Sequence, residues 1–358
     1  MKYLWGLTLT LLLFSSLAQS ATPEIRQKIG NIFTAPLLYN EKYYFVSTAG
    51  VLYESNKDLS EVNALYTGTR QTIGVMTLIN DKLIWGDGLH TDLKATLHVF
   101  DLKTKTLLKN IELEGHINRA PIVHSGLIIL PLGPSGIMAL DLQTLTVKWK
   151  TDLFGTKKLH VDSNLLVVED KVCGTSVGET KGLFCVQIKT GALTQFSQLM
   201  RDPKSDITLW KNHLVGFATE GDIARAKFDI PSDLFIYDVK ADKIILSKEL
   251  RGFSYFPPSI QEDEAFITLS TGDFLLLNLN DGKIFFMGEY PEPFINNPFR
   301  KEGEYCGIGI TGKYMCYKRT KAGLGINLYK SLNETVLGRV SVWDSKILAP
   351  TKTGYYLE

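Results

Sequence analysis

The chain has 358 residues, 39 of them Lys or Arg and 38 Asp or Glu, for a formal net charge of +1. That balance argues against a dedicated nucleic-acid binder, which carries a basic excess, while the length allows one large domain or two smaller ones. Aromatic and β-branched residues recur in short bursts between Gly, Asn, Asp and Pro clusters, without long stretches of helical period, so the expected class is all-β.

In chain order, residues 1–20 carry Lys2, the apolar run LWGLTLTLLLF and the small-residue pattern Ala18-Gln19-Ser20. This reads as a secretory signal peptide cleaved before Ala21, because the apolar run is too short for a membrane anchor. No cysteine lies near that position, so no lipid anchor is expected, and no later stretch is apolar for long enough to cross a bilayer. The expectation is a protein exported to a bacterial periplasm or secreted, with residues 21–358 as a single domain.

Beyond the leader, one motif recurs: a turn, then a ladder of large side chains, then a polar residue. It reads STAGVLYES at Gly50, ATLHVFD ending at Asp101, PSGIMALD at Gly136 and TKGLFCVQ at Gly182. It continues as SDLFIYD ending at Asp238, STGDFLLLN at Gly272, ITGKYMCYK at Gly312 and TKTGYYLE at Gly354. Eight copies of about 42 residues match the size of a four-stranded propeller blade. Complete blades are expected at 35–66, 72–113, 119–153, 161–199, 206–250, 256–290 and 296–332, and a three-stranded copy at 338–358. In the third copy the strands run APIVHS, GLIILPL, GIMALDL and LTVKWKT from inside to outside. The segment EIRQKIGNI (24–32) is available as the missing strand of the last copy, and pairing it there closes the ring without an open edge.

Asp101, Asp141, Asp238 and Asn278 each close a ladder just before a tight turn, where an Asp or Asn side chain can hydrogen-bond the backbone two residues on. These acidic residues are read as structural. Asp281-Gly282 is a hairpin signal because both residues tolerate positive φ.

A Pro-led inner strand, a Gly turn, a ladder ending in Asp and an outer strand such as VKWKT together resemble the PQQ-type propeller repeat. Eight such units in an exported chain are similar to the propeller component of the bacterial outer-membrane β-barrel assembly machinery, and the likeness covers essentially all of residues 21–358. It implies an eight-bladed β-propeller of four-stranded antiparallel blades and a non-enzymatic scaffold for protein–protein interaction, with outer-membrane protein assembly as one such role. The chain departs from that component in lacking a lipidated cysteine and in carrying an outer-strand tryptophan only at Trp149.

Cys173 and Cys185 flank the Gly182 turn of the fourth copy, and Cys306 and Cys316 flank the Gly312 turn of the seventh. Two pairs at matching places in the repeat read as two cross-strand disulfides in an oxidising compartment. The rival readings are free buried thiols, or a metal site that blades so far apart cannot assemble.

Function is expected on the face where loops from second to third strands and from outer to next inner strands both open. GDGLHTDLKA (86–95) supplies His90 and Asp92, and TEGDIARAKFDIPSD (219–233) supplies Asp222 and Arg225. Loops leading into inner strands add His116, Asn118, Arg119, His160, Asp162, Asp206, Asn296 and Asn297. Loops on a rigid scaffold commonly carry binding residues, although each of these also reads as a solvated loop residue. Tyr255, with Phe253, Phe256 and Phe294, either docks a partner or plugs the channel mouth.

Enzymatic signals are weak. Gly174-Thr175-Ser176-Val177-Gly178 matches G-x-S-x-G, but that motif needs a strand-to-helix elbow and here falls in a hairpin. His90, Asp92, His116 and His160 are potential metal ligands without a close His-x-His or His-x-x-x-His spacing, so no metal is expected. GLGIN (323–327) lacks the rest of a phosphate loop. Quinoprotein dehydrogenases carry a vicinal cysteine pair and a calcium-binding carboxylate set; neither is visible, so neither pyrroloquinoline quinone nor calcium is expected. The preferred reading is a monomeric periplasmic scaffold with an envelope protein as partner. The alternatives are a small quinoprotein or other enzyme with a site at the channel mouth, and a sugar- or peptide-binding propeller using the same face.

Overall fold

The computed structural model describes residues 30–222, 227–320, 323–336, 338–352 and 354–357. The expected leader lies outside these residues. Eight antiparallel sheets follow one another along the chain, at 37–67, 76–114, 122–151, 166–198, 208–250, 259–289, 299–331 and 341–357. Seven have four strands in sequence order and the last has three. We number them blades 1 to 8. A two-stranded hairpin, Leu153–Phe154 with Lys157–Lys158, stands between blades 3 and 4. The eight-bladed, all-β propeller expected from the repeat is therefore observed, with blade limits within a few residues of those expected. Among the described residues, no helix is long and apolar enough to cross a membrane.

Burial explains the strand sequences. In blade 3 the second strand Leu127–Pro131 and the third strand Ile137–Asp141 are almost wholly buried, because neighbouring blades cover both faces, and such strands read as continuous apolar runs. Outer strands such as Lys243–Leu250 alternate between exposed and half-buried positions, the period of two expected when one face meets solvent. In all seven four-stranded blades the pairing of third and outer strands shifts by one residue within the ladder, for example between Ala139 and Leu140 or between Ile236 and Tyr237. Such a bulge increases local twist and bends the outer strand.

The turn acids act as their positions suggest. Asp141 Oδ1 accepts hydrogen bonds from the backbone N–H groups of Gln143 (3.0 Å) and Thr144 (2.9 Å), and Asp101 and Asp238 repeat the pattern. Both disulfides form, joining directly opposed residues of second and third strands, with Cα–Cα distances of 4.1 Å for Cys173–Cys185 and 4.2 Å for Cys306–Cys316. Those separations are those of the non-hydrogen-bonded cross-strand pair, in which side chains approach most closely.

The core lies between blades. The Trp149 indole of the blade 3 outer strand donates to the Ile188 carbonyl at 2.8 Å and packs on Gly191 of blade 4, where a Cβ would sit 2.6 Å from the ring. At the ring's seam, Ile32 N–H donates to Thr351 O (3.2 Å), Arg339 N–H to Phe33 O (3.0 Å) and the Tyr355 hydroxyl to Thr34 O (2.5 Å). Residues 32–34 thus bind blade 8. The outer strand expected at 24–32 falls largely outside the described residues, and residues 30–32 are not in a strand.

Candidate functional site: histidines around one carboxylate

Three loops of the expected rim bring polar side chains together. His90 lies between the second and third strands of blade 2, His116 follows the blade 2 outer strand, and His160 and Asp162 follow the small hairpin that leads to blade 4. Their imidazoles surround the Asp162 carboxylate. His116 Nε2 is 2.7 Å from Asp162 Oδ1, His160 Nε2 is 3.1 Å from Oδ2, and His90 Nδ1 is 3.6 Å from Oδ2. Burial would raise the Asp162 pKa, but the contacts from His116, His160 and His90 outweigh it and hold the carboxyl far below the usual carboxylate range. The same contact, opposed by desolvation, raises the pKa of His160.

His116 is fully buried, and its place depends on two glycines. A Cβ on Gly133 would lie 2.2 Å from His116 Nε2, and one on Gly88 would lie 3.1 Å from His116 Cβ. Gly133 also has φ +54°, in the left-handed region that favours glycine. The other ring nitrogen of His116 faces the Asp92 carbonyl at 3.4 Å. Asn118 Nδ2 donates to His90 Nδ1 at 3.0 Å, while the buried Asn118 Oδ1 has no hydrogen-bond partner.

The remaining rim residues are mostly held by their surroundings. Asp92 Oδ2 accepts from Leu89 N–H at 2.7 Å and shapes its own loop. Arg119 Nε donates to Asp206 Oδ1 at 2.5 Å, reaching from the approach to blade 3 to the approach to blade 5. Burial lowers the Arg119 pKa, but Asp206 outweighs it and keeps the guanidinium above its ordinary value. Asp206 N–H donates to Tyr255 O at 3.0 Å, which links the mouth onward to blade 6. Asn297 clamps the blade 8 approach, donating to Val340 O (3.1 Å) and accepting from Val340 N–H (2.7 Å). Asn164 makes the same pair of bonds to Ile207 at 2.9 and 2.7 Å. Asn296 is buried, and its Nδ2 donates to Ile308 O. Asp222 is half-buried and pairs through its backbone with Lys227; Arg225 lies outside the described residues. Phe253 and Phe294 are buried, with Tyr255 and Phe256 half-buried, so this aromatic group packs inward.

The Ser176 hydroxyl of G-x-S-x-G is buried, accepts from His160 N–H at 3.0 Å and pairs with the Thr180 hydroxyl at 2.7 Å. It sits at the end of a strand, followed only by a three-residue turn of 3-10 helix, Gly178–Thr180. A nucleophile elbow is absent from this position.

Sequence reading missed the apolar tips on the same face. Leu93, Leu153, Phe154 and Met200 are exposed, and Met200 (88 %) and Leu93 (75 %) are the most exposed large hydrophobic residues among those described. All four lie in rim-face connections of blades 2, 3 and 4. Their signal was available: apolar residues inside polar loops.

No family model matches the sequence, and no curated protein matches it. Solved structures do. The crystal structure of BamB from Moraxella catarrhalis superposes with a TM-score of 0.70 over 92 % of this chain and 96 % of that one, at 13 % identity. The chain has a BamB-like propeller fold. The computationally designed Ika8 protein gives a TM-score of 0.69 at 10 % identity, covering 92 % of this chain and 98 % of the designed one. Dihydro-heme d1 dehydrogenase NirN in complex with DHE gives 0.66 at 10 % identity, over 90 % of this chain and 73 % of NirN. A designed protein and a dehydrogenase are similar to this chain in the same way as BamB, so the likeness carries fold and leaves function to the site.

Proposed function

We propose that the protein is an exported, non-enzymatic propeller that binds a protein partner of the bacterial envelope through the rim face of blades 2 to 4. The observation that carries this reading is the set of exposed apolar tips, Leu93, Leu153, Phe154 and Met200, on a face otherwise lined by polar loops. Singly exposed apolar residues are ordinary, but several on one face of a rigid ring, rimmed by polar groups, make a protein-binding surface. Because the loops are held by the Asn164–Ile207 clamp beside blade 4 and by the Arg119–Asp206 pair, little ordering entropy opposes association. Two disulfides fit the oxidising compartment that an exported protein meets.

The test is crosslinking capture from the native envelope fraction with wild-type protein and with the combined Leu93→Ser, Phe154→Ser and Met200→Ser variant. Leu93 and Met200 are freely exposed, whereas the Phe154 ring stacks on Phe196 with centroids 4.0 Å apart, so the melting curve of the variant checks that the ring still folds. Loss of a captured protein is expected; capture that persists unchanged rejects this face. Titration with pyrroloquinoline quinone and calcium is expected to leave the melting temperature unmoved, since a ligand of the native state would raise it by mass action.

A further inference from the structure

We propose that His90, His116, His160 and Asp162 form a binding site for a divalent first-row transition metal, zinc above all. Zinc is held tetrahedrally by imidazole nitrogen and carboxylate oxygen at about 2.0–2.2 Å, which places neighbouring donor atoms roughly 3.3 Å apart. The nitrogens of His116, His160 and His90 stand 2.7, 3.1 and 3.6 Å from the Asp162 oxygens, a spread around that value. Donor atoms of His90, His116 and Asp162 all lie within 4.8 Å of one another. His160 Nε2 stands outside that triad, 3.1 Å from the Asp162 carboxylate, and would have to shift toward the triad to supply the fourth ligand.

The surroundings also suit a metal. With His116 Nδ1 facing the Asp92 carbonyl at 3.4 Å, the Nε2 that now donates to Asp162 at 2.7 Å would give up its proton to take the metal. A backbone carbonyl on the far nitrogen is the arrangement that orients metal-bound imidazoles. The buried Asn118 Oδ1 is without a hydrogen-bond partner, and its amide nitrogen meets His90 Nδ1 at 3.0 Å, a contact that an ion on that nitrogen would displace. Gly133 keeps open the space into which His116 Nε2 projects. A nitrogen-rich set excludes calcium and magnesium, which are bound through oxygen, and selects zinc or its d-block neighbours. The ligands come from loops of three consecutive blades, so a bound ion would staple the same part of the rim that carries the apolar tips. This assignment goes beyond the partner-binding reading and stands without it.

The experiment uses untagged, full-length mature protein stripped with EDTA and titrated with zinc against a chromophoric chelator. One equivalent is expected to bind, and zinc but not calcium is expected to raise the melting temperature. His90→Ala removes an imidazole whose side chain is 61 % exposed, so folding should survive, and it is expected to weaken zinc binding at least tenfold. Asp162→Asn is expected to do the same, with the melting curve of the stripped variant checking its fold; should it not fold, His90→Ala decides. Absence of stoichiometric binding, or binding that His90→Ala leaves unchanged, overturns the site and leaves the cluster as an imidazole–carboxylate ion-pair network. Neither measurement involves a partner, so this proposal and the docking face fail or stand separately.

Discussion

Asp141 shows how one side chain serves a repeated turn. Its carboxyl accepts from two backbone N–H groups, with Thr144 the largest influence and Lys148 next, and its pKa is lowered from 3.8 to about 2. A carboxylate with a depressed folded pKa contributes stability that is present above its unfolded value and lost as pH falls through the folded one. Asn at this position keeps the hydrogen-bond geometry without the charge. Wild type is therefore expected to unfold at higher urea than Asp141→Asn near pH 6, with the midpoints converging as pH drops from about 4 to about 2. A gap that stays constant across that range would mean the charge contributes nothing there. On the other face, each imidazole of the histidine cluster is ordinary by itself. Convergence on Asp162 makes the group distinctive, and residues 90, 116 and 160 are too far apart in sequence for spacing to reveal it. Only His160 and Asp162, two apart on an extended segment and so on one side of it, offered a local hint.

At the scale of the strand pair, the two disulfides occupy equivalent rungs of blades 4 and 7 and close short loops, with sequence separations of 12 and 10. In the chain-entropy view each contributes about 3 kcal/mol by restricting the unfolded chain. Replacing Cys173 and Cys185 together by alanine is expected to lower the unfolding free energy by about that amount, read from urea midpoints at unchanged slope. No change in midpoint would mean that the cross-link constrains nothing in the unfolded ensemble. These bridges were legible because in each repeat one cysteine precedes and one follows the turn glycine, Cys173 and Cys185 around Gly182 and Cys306 and Cys316 around Gly312. The clamps of Asn164 and Asn297 were not legible. An asparagine in a loop reads as solvated polarity until the neighbouring blade is in place to receive both of its hydrogen bonds.

For the ring as a whole, the repeat period and the ladder-ending acids sufficed to give eight blades, since each unit buries its faces only against its neighbours. Fine placement of the rim depended on contacts between blades, which no single repeat contains. The same dependence makes the seam distinctive. Every other junction is crossed by continuous chain, whereas among the described residues the first and last blades meet through the bonds of residues 32–34 to Arg339, Thr351 and Tyr355, a shared apolar cluster that includes Phe45, Leu348 and Tyr355, and the Lys57–Asp344 ion pair. Local opening draws on the least-supported contacts. Deuterium is therefore expected to enter the amides of Ile32, Arg339 and Thr351 sooner than those of the blade 5 strands His213–Thr219 and Ser232–Asp238; equal protection would mean that the seam is as firm as a blade interior. Such a clasp makes the propeller a bracelet rather than a welded hoop. Blade 8 can part from blade 1 while the other seven stay stacked, so thermal wear and proteolytic nicking should start there, on the side of blade 1 turned away from the blade 2 loop that carries His90 and Leu93.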